Sequence, residues 1–595
     1  MIEIISKIEN LIKQSLKKQD VKEVDIVVEI PNDDTHGDYS SNVAMILASE
    51  VKENPMDIAQ RVVDGMEQDM DIGRVEIVKP GFINFFLSNR YLLTEASKIV
   101  DRKEEYFKLD SKEGQRVLIE YTDANLFKEM HIGHLYSNVI GESFARLQEA
   151  LGADVKRSCY QGDVGLHVAK TLWGLEKKLE EDQLSFERLE TLGLDERVKY
   201  LGEAYSLGEE YYTEIGDSVA VEEIDNMNYY IFSLVMDSLE KKDFQKYEEI
   251  HLSEKYKKGR QWCLDFFEKI YEKVGTEFDY YFFESEVCEL GLKIVMDNIG
   301  KVFEKDKGSI IYRGDEKKNL HTRVFVNKYG LPVYEAKELA LVFKKAEGID
   351  FDESIIVTAD EQSGYFRVVF DALSKIDRSL AEKIRHIAHG KVKLPGSKKM
   401  SSRKGNILSA DWLIEETKKR VLTIMESSSE FDVDNLDLIA EKIAVGAIKY
   451  AFLKIGVGRD IVFDFDKSIT FDGNTGPYLM YVYSRCNSIL LEGNSVNSKT
   501  LCLDMCLNNT YVKRLISHVS KYKYSLLNSS STYSPSVLCQ YLFELGKYFN
   551  TFYQNVRVLD AEDEEKQILL LLVNATMNVM EDGLNNLGIP IVERM

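Results

Sequence analysis

A short apolar segment, a polar loop, a long helix pattern and a second apolar-alternating segment follow one another between residues 117 and 160. Val117-Leu-Ile-Glu-Tyr121 reads as a buried strand. From His131, the residues Leu135, Ile140, Phe144, Leu147 and Leu151 recur at helical spacing, and Gly152 suits a C-terminal stop. Val155 to Tyr160 reads as the next strand. A helix placed between two strands returns the chain to the edge it left, so the strands run parallel and need helices on both faces. The fold class that follows is α/β, with a doubly wound parallel sheet.

The remaining chain arranges itself around that core. Residues 1–112 read as a small α+β unit: Ile2, Ile5, Ile8, Leu11 and Ile12 share one helical face, Val24–Ile30 and Val75–Val78 are strand-like, and Phe82–Leu87 follows a Pro80-Gly81 turn. Residues 166–276 are helical and strongly charged, an insertion between two halves of the sheet. A second α/β set follows, with Ile355–Ala359 as its clearest strand. From residue 411 the chain is almost all helix, interrupted by a softer, serine-rich stretch at Leu526–Ser536. Three units result: 1–112, 113–410 and 411–595.

Charge excludes a general nucleic-acid coat. The net charge is -24, whereas phosphate binding is driven by Lys and Arg, so any nucleic-acid surface must be local. The seven cysteines are scattered, at 159, 263, 288, 486, 502, 506 and 539, without a CxxC pair. That pattern fits a reduced, cytoplasmic compartment. No secretory signal is visible and the apolar run Ile568–Val573 is too short to span a bilayer, so no membrane association is expected.

Two segments carry chemistry. His131-Ile132-Gly133-His134 sits where a strand and loop enter a helix, whose N-terminus offers unpaired N–H groups and partial positive charge to phosphate. Gly133 permits close approach of a nucleotide. The spacing of His131 and His134, like that of His386 and His389, also occurs in metal sites, but no third ligand accompanies either pair. The second segment, Lys391 to Lys404, holds six basic residues and no acidic one, and Gly396 and Gly405 bracket it. Such a loop can close over a triphosphate and neutralise the charge developing on pyrophosphate.

In this order, either side of a helical insertion, the two segments resemble the two signatures of class I aminoacyl-tRNA synthetases. The resemblance narrows to the arginyl-tRNA synthetase family and covers nearly the whole chain. It rests on Gly37–Met45, Asn125–His131, Gly162–Gly165, Phe278–Ser285, Tyr334–Glu338, Thr475–Tyr478, Phe549–Tyr553 and the ending Val592–Met595. It implies a Rossmann-like catalytic domain with a helical insertion, an additional N-terminal domain that touches tRNA, and an all-α anticodon-binding domain. It implies the substrates ATP, with Mg²⁺, L-arginine and tRNA(Arg); a monomer is expected.

Residue by residue, the resemblance places His131, Gly133, His134, Lys128, Lys399, Met400, Ser401 and Lys404 in catalysis. Gly162, Asp163 and His389 join the two imidazoles around ATP. The family's usual fourth lysine in the basic loop is Ser402 here, and Lys128 stands in for that cation. Asn125, Glu284, Tyr334, Glu338 and Gln362 form the arginine pocket, with Glu338 one methylene longer than the usual Asp. A guanidinium is planar and offers five donors, so carboxylates, an aromatic and an amide suit it. Tyr39, Asn42, Tyr478, Tyr481 and Tyr553 are the candidate tRNA contacts, with Tyr483 and Phe549 as further aromatic candidates in the helical domain, where packing inside the helical core is the alternative for most of the rings.

Overall fold

A computed structural model describes residues 3–18, 24–31, 33–240, 244–396, 408–427, 435–493 and 509–595. Its centre is a five-stranded sheet built on Arg116–Glu120 (β1). Asp154–Gln161 (β2) and Tyr280–Phe283 (β3) extend it on one side, and Glu353–Ala359 (β4) and Ile384–His389 (β5) on the other. The order is β5-β4-β1-β2-β3 and every neighbouring pair is parallel. Val117, Leu118 and Ile119 are fully enclosed, as expected of a strand covered on both faces. The strand order reverses between β1 and β4. At such a reversal the loops leaving the strands diverge and open a crevice at their C-terminal ends.

Helix Ile132–Ala150 (α1) leaves β1 and carries almost no exposed surface. The sheet covers one side and C-terminal helices cover the other, which explains why its buried face is wider than a single stripe. Its end is as the sequence indicates: Gly152 adopts φ +89°, and its N–H donates to Glu149 O. Gly141 lets Tyr121 lie flat on the helix; a Cβ there would stand 2.1 Å from the Tyr121 ring.

The insertion runs from helix Leu166–Glu181 to helix Leu252–Lys273, and its helices pack through glycines. A Cβ on Gly174 would meet Ala204 O at 2.0 Å, and one on Gly208 would meet Lys170 O at 2.1 Å. Between β3 and β4 lie helix Glu284–Asp297 (α2), a three-stranded antiparallel sheet over Glu304–Val326, and helix Tyr334–Gly348 (α3).

The N-terminal unit is a four-stranded antiparallel sheet covered by helices Glu3–Lys17, Val43–Val51 and Pro55–Gly65. Of the strand expected over Val24–Ile30, only Val28–Glu29 pairs. The C-terminal unit is helical, and the serine-rich stretch differs from expectation. Tyr522–Ser531 is a helix, and the next begins at Pro535. Its small side chains allow close docking: Ser529 and Ser530 are buried, and Ser530 O accepts from the Gln148 amide of α1 at 2.9 Å. No helix among the described residues is long and apolar enough to cross a membrane.

Replacing Gly141 by Ala is expected to overpack the contact between α1 and β1. The cost should be about 1–3 kcal/mol, read as a lower denaturant midpoint. An unchanged midpoint would show that Tyr121 has room to move.

Candidate active site

The crevice between β1 and β4 is closed at one end by His131 and His134. His131 is the N-cap of α1: its Nδ1 accepts from the N–H groups of Gly133 at 3.0 Å and His134 at 3.3 Å. His134 Nδ1 in turn accepts from His131 N–H at 3.3 Å. Each Nδ1 is therefore an acceptor, so each neutral ring carries its proton on Nε2. The rings stack 3.6 Å apart, 17° from parallel. Burial, then the Lys128 charge, lowers the His131 pKa to about 4. Burial, then His131 and Lys128, holds His134 well below the usual range. Both imidazoles are thus neutral Nε2–H donors at pH 7, rather than cations. Gly133 serves this arrangement directly, because a Cβ would meet His131 Cε1 at 2.8 Å.

Lys128 is the cation these rings feel. It makes no ion pair among the described residues; its ammonium sits 4.3 Å from the Tyr205 ring centroid of the insertion. Burial lowers its pKa to about 8. The loop that carries it is strained, with positive φ at Thr122, Asp123 and Phe127.

Lys399, Met400, Ser401 and Lys404 lie outside the described residues, but the chain on either side does not. After the basic segment, Leu408–Ala410 runs along Met130–Ile132: Ile132 N–H donates to Leu408 O at 3.0 Å, and Ala410 N–H to Met130 O at 2.7 Å. Before it, β5 ends at His389, whose ring meets Tyr136 of α1 at 4.7 Å. His389 Nδ1 donates to Gly390 O at 2.7 Å, leaving a buried Nε2 with no partner. His386 and His389 point to opposite faces of a strand, so they cannot share a metal ion.

Asn125, Glu284, Tyr334, Glu338 and Gln362 line one cavity of about 360 Å³ beside the histidines, a size typical of small-ligand sites. Gly162 shapes it, because a Cβ there would lie 2.2 Å from Asn125 Oδ1. Five carboxylates line the cavity: Glu120, Asp123, Glu284, Glu335 and Glu338. Three are neutralised in place. Glu284 pairs with buried Lys337, Glu120 with buried Lys345 at 2.5 Å, and Glu335 with Arg323 at 3.0 Å. Asp123 and Glu338 have no such partner among the described residues. Burial, then Glu120, raises Asp123 well above the carboxylate range and lifts Glu338 to about 8. Glu338 Oε1 is buried without a hydrogen bond. The cavity therefore holds more carboxylates than cations.

Glu120, Asp123, Lys337 and Tyr365 are lining or supporting residues that sequence reasoning missed. A signal existed for Glu120, a carboxylate closing an otherwise apolar strand.

Three expected site residues are corrected by their surroundings. Asp163 is fully buried and its oxygens are taken: Oδ1 accepts from Ser285 N–H at 2.8 Å, and Oδ2 from Ser285 O–H at 2.7 Å and Arg260 Nε at 2.9 Å. It ties β2 to α2 and the insertion instead of facing ATP. Tyr39 is 1% exposed and Tyr478 6%, so both are core residues rather than RNA contacts. Tyr483 and Phe549 are buried as well. Tyr481 and Tyr553 do converge: the Arg485 guanidinium lies 4.4 Å from the first ring and 4.7 Å from the second, beside a cavity that Met595 also lines. Asn42 is half-buried, with an unpartnered Oδ1.

Residues 95–465 match the family model for tRNA synthetases class I (R), catalytic domain. That match spans more than half of the chain, and this chain is a class I aminoacyl-tRNA synthetase. Residues 6–87 match the arginyl tRNA synthetase N terminal domain and 479–595 the DALR anticodon binding domain. The chain belongs to the arginyl-tRNA synthetase family. An arginine–tRNA ligase of Fusobacterium nucleatum is 29% identical over 97% of this chain and 96% of its own length. One of Clostridium botulinum is 27% identical, over 99% of each. The arginyl-tRNA synthetase of Thermus thermophilus, 24% identical, shares the fold with a TM-score of 0.78 over 100% of both chains.

Asp163→Ala should destabilise the protein by about 3 kcal/mol, since it strands Arg260 and both Ser285 donors. Ser285→Ala should cost about 1 kcal/mol. Denaturant melts check both; an Asp163→Ala protein as stable as wild type, yet inactive, would return Asp163 to the nucleotide.

Proposed function

We propose that this chain is an arginine–tRNA ligase whose reaction is carried by the residues gathered at the β1/β4 crevice. The arginine carboxylate attacks the α-phosphorus of ATP, forming arginyl-adenylate and releasing pyrophosphate. A terminal ribose hydroxyl of tRNA(Arg) then takes the arginyl group, and AMP leaves. The observation that carries this reading is the pairing of Leu408–Ala410 with Met130–Ile132, which roots the basic segment beside the two imidazoles.

In the first step little proton transfer is needed, so the protein's task is orientation and charge stabilisation. His131 and His134 offer Nε2–H donors to phosphate oxygens where negative charge grows. Lys128 supplies a positive charge in place of the cation absent at Ser402, and Lys399, Met400, Ser401 and Lys404 are assigned to the same step by the signature they carry. His389 and Gly162 border the nucleotide. Among the described residues no cluster of three His, Cys, Asp or Glu side chains could hold a metal ion. Mg²⁺ is assigned to the phosphates of ATP, as part of the substrate.

The arginine guanidinium enters the carboxylate-rich cavity. Two unmatched carboxylates, an orphaned Glu338 oxygen, Gln362 and the Tyr334 ring suit a planar cation with several donors, and Asn125 faces the amino-acid head group. At the far end, Tyr481, Arg485 and Tyr553 suit an unstacked anticodon base, and Asn42 marks the N-terminal unit's contact. Domain limits of 1–112, 113–410 and 411–595, a monomer and a cytoplasmic location complete the proposal.

Two measurements test it. Lys128→Ala should lower arginine-dependent ATP–pyrophosphate exchange about a hundredfold in kcat, with tRNA present. Near-normal exchange would remove Lys128 from the mechanism. Secondly, Glu338 is protonated below about pH 8 in the empty site, so binding a guanidinium expels a proton. The KM for arginine should therefore fall about fivefold between pH 7 and 8. Glu338→Gln should flatten that slope; a slope unchanged by it would assign the proton elsewhere.

A further inference from the structure

The helical insertion lines no part of the arginine cavity. Three of its helices nevertheless close on three successive residues of the loop that enters α1: Phe127, Lys128 and Glu129.

Phe127 is held at φ +61° and is fully buried. An aromatic residue rarely adopts that conformation, which persists only where its surroundings over-determine it. The loop belongs to neither helix nor strand, so its backbone groups need partners from elsewhere. The insertion supplies them on both sides of Phe127. Its N–H donates to Cys263 Sγ at 3.3 Å, and its carbonyl accepts from the Thr171 hydroxyl at 2.9 Å. That hydroxyl also lies 3.0 Å from His167 O, so it is shared between its own helix and the loop. Burial pushes the Cys263 thiol up to about 12, which leaves the sulfur a neutral acceptor.

Side chains complete the grip. The Phe127 ring stacks on Tyr256 at 5.8 Å, 9° from parallel, and Gly259 makes the room, because a Cβ there would meet Phe127 Cε1 at 2.7 Å. Tyr256, Gly259 and Cys263 share one face of helix Leu252–Lys273. On helix Leu194–Glu209, Tyr205 carries the Lys128 ammonium over its ring, and a Cβ on Gly202 would stand 3.0 Å from Glu129 Cγ.

The consequence falls on Lys128. The carbonyl that Thr171 holds belongs to the peptide bond leading into Lys128, and because that unit is planar, fixing its oxygen fixes the direction of the chain at Lys128. A lysine carries its charge on a flexible four-carbon stem, so a set root narrows where the charge can lie.

We propose that Thr171 and Cys263 are positioning residues: by clamping the Phe127 peptide, the insertion sets the direction from which Lys128 reaches the ATP phosphates. The proposal rests on the role given to Lys128 above, and it gives the insertion a task in the first chemical step.

The test is arginine-dependent ATP–pyrophosphate exchange by the full-length chain, with tRNA present. Thr171→Val keeps the shape of the side chain and removes its donor. Its kcat should fall about tenfold while the KM for ATP stays within about twofold, as for an interaction made only while charge develops. Thr171→Ser keeps the hydroxyl and should restore kcat to near the wild-type value. Cys263→Ala leaves the Phe127 N–H without its acceptor and should also lower kcat; it carries the same prediction should Thr171→Val fail to fold. The sharpest comparison is made in the Lys128→Ala background. A clamp that acts through Lys128 has nothing left to position there, so adding Thr171→Val should cost no further activity. The clamp is overturned if Thr171→Val keeps wild-type kcat while Lys128→Ala is slow, or if Thr171→Val costs as much without Lys128 as with it. Normal exchange by Lys128→Ala would remove the role of Lys128 and the clamp with it. A wild-type chain with no arginine-dependent exchange would instead bring down the ligase reading itself.

Discussion

Two backbone hydrogen bonds that join Met130–Ile132 to Leu408–Ala410 decide what this molecule can do. They join the loop before α1 to the chain that returns from the basic segment. Without that pairing the imidazoles would cap a helix and the lysines would solvate a surface loop. With it, the segment is anchored at its far end within a few residues of His131, and its near end follows β5, packed on Tyr136. Closing a short loop between fixed ends costs little entropy. The described chain on both sides of the basic segment therefore lies against the N-terminal half of α1.

The charge design on the two sides of that centre is opposite. On the nucleotide side the rings are kept neutral by burial and by Lys128, so they donate hydrogen bonds without adding a fixed charge. On the arginine side the protein leaves two carboxylates uncompensated and lets their proton affinity rise. Each carboxylate that needs no ligand has its own cation: Lys337, Lys345 and Arg323 are spent in this way. The remaining deficit of positive charge is what the proposed guanidinium would meet. Burying unpaired charge is costly, and shifting its protonation is the usual relief. A cationic ligand reverses that shift, which couples specificity to proton release.

Much of this was legible before any coordinates. The switch from strand to helical periodicity around residue 131 implies the doubly wound sheet, and Gly152 marks the helix end by its need for positive φ. The lining of the arginine cavity follows from motif resemblance, and all five of those residues face one space. What was not legible depends on partners distant in sequence. Asp163 sits in a signature segment, yet Ser285 and Arg260 consume its oxygens. Tyr39 and Tyr478 also belong to signature segments, and nothing in a tyrosine's neighbours along the chain separates a core ring from a stacking platform. The role of Gly133 in seating the His131 ring appears only when the capping geometry is known.

The helical unit is not merely appended to this centre. Glu142 of α1, buried, accepts from Tyr121, Arg146 and Arg157. Arg146 reaches Asn585 O at 3.2 Å and Gly275 O at 3.2 Å, and buried Lys449 donates to Val274 O and Gly588 O. One polar knot therefore holds the helix that bears the imidazoles, the end of the insertion and the last turn of helix Asp563–Asn586. From Gly588 the chain runs to Glu593, whose carbonyl accepts from Ser484 and Asn487. It ends at Met595, beside Tyr481 and Arg485. Seven residues thus span the distance from the catalytic helix to the candidate base-reading cavity. Burial of so many charged groups is weak evidence for stability. Its clearer consequence is register: the knot fixes how α1, the end of the insertion and helix Asp563–Asn586 are aligned.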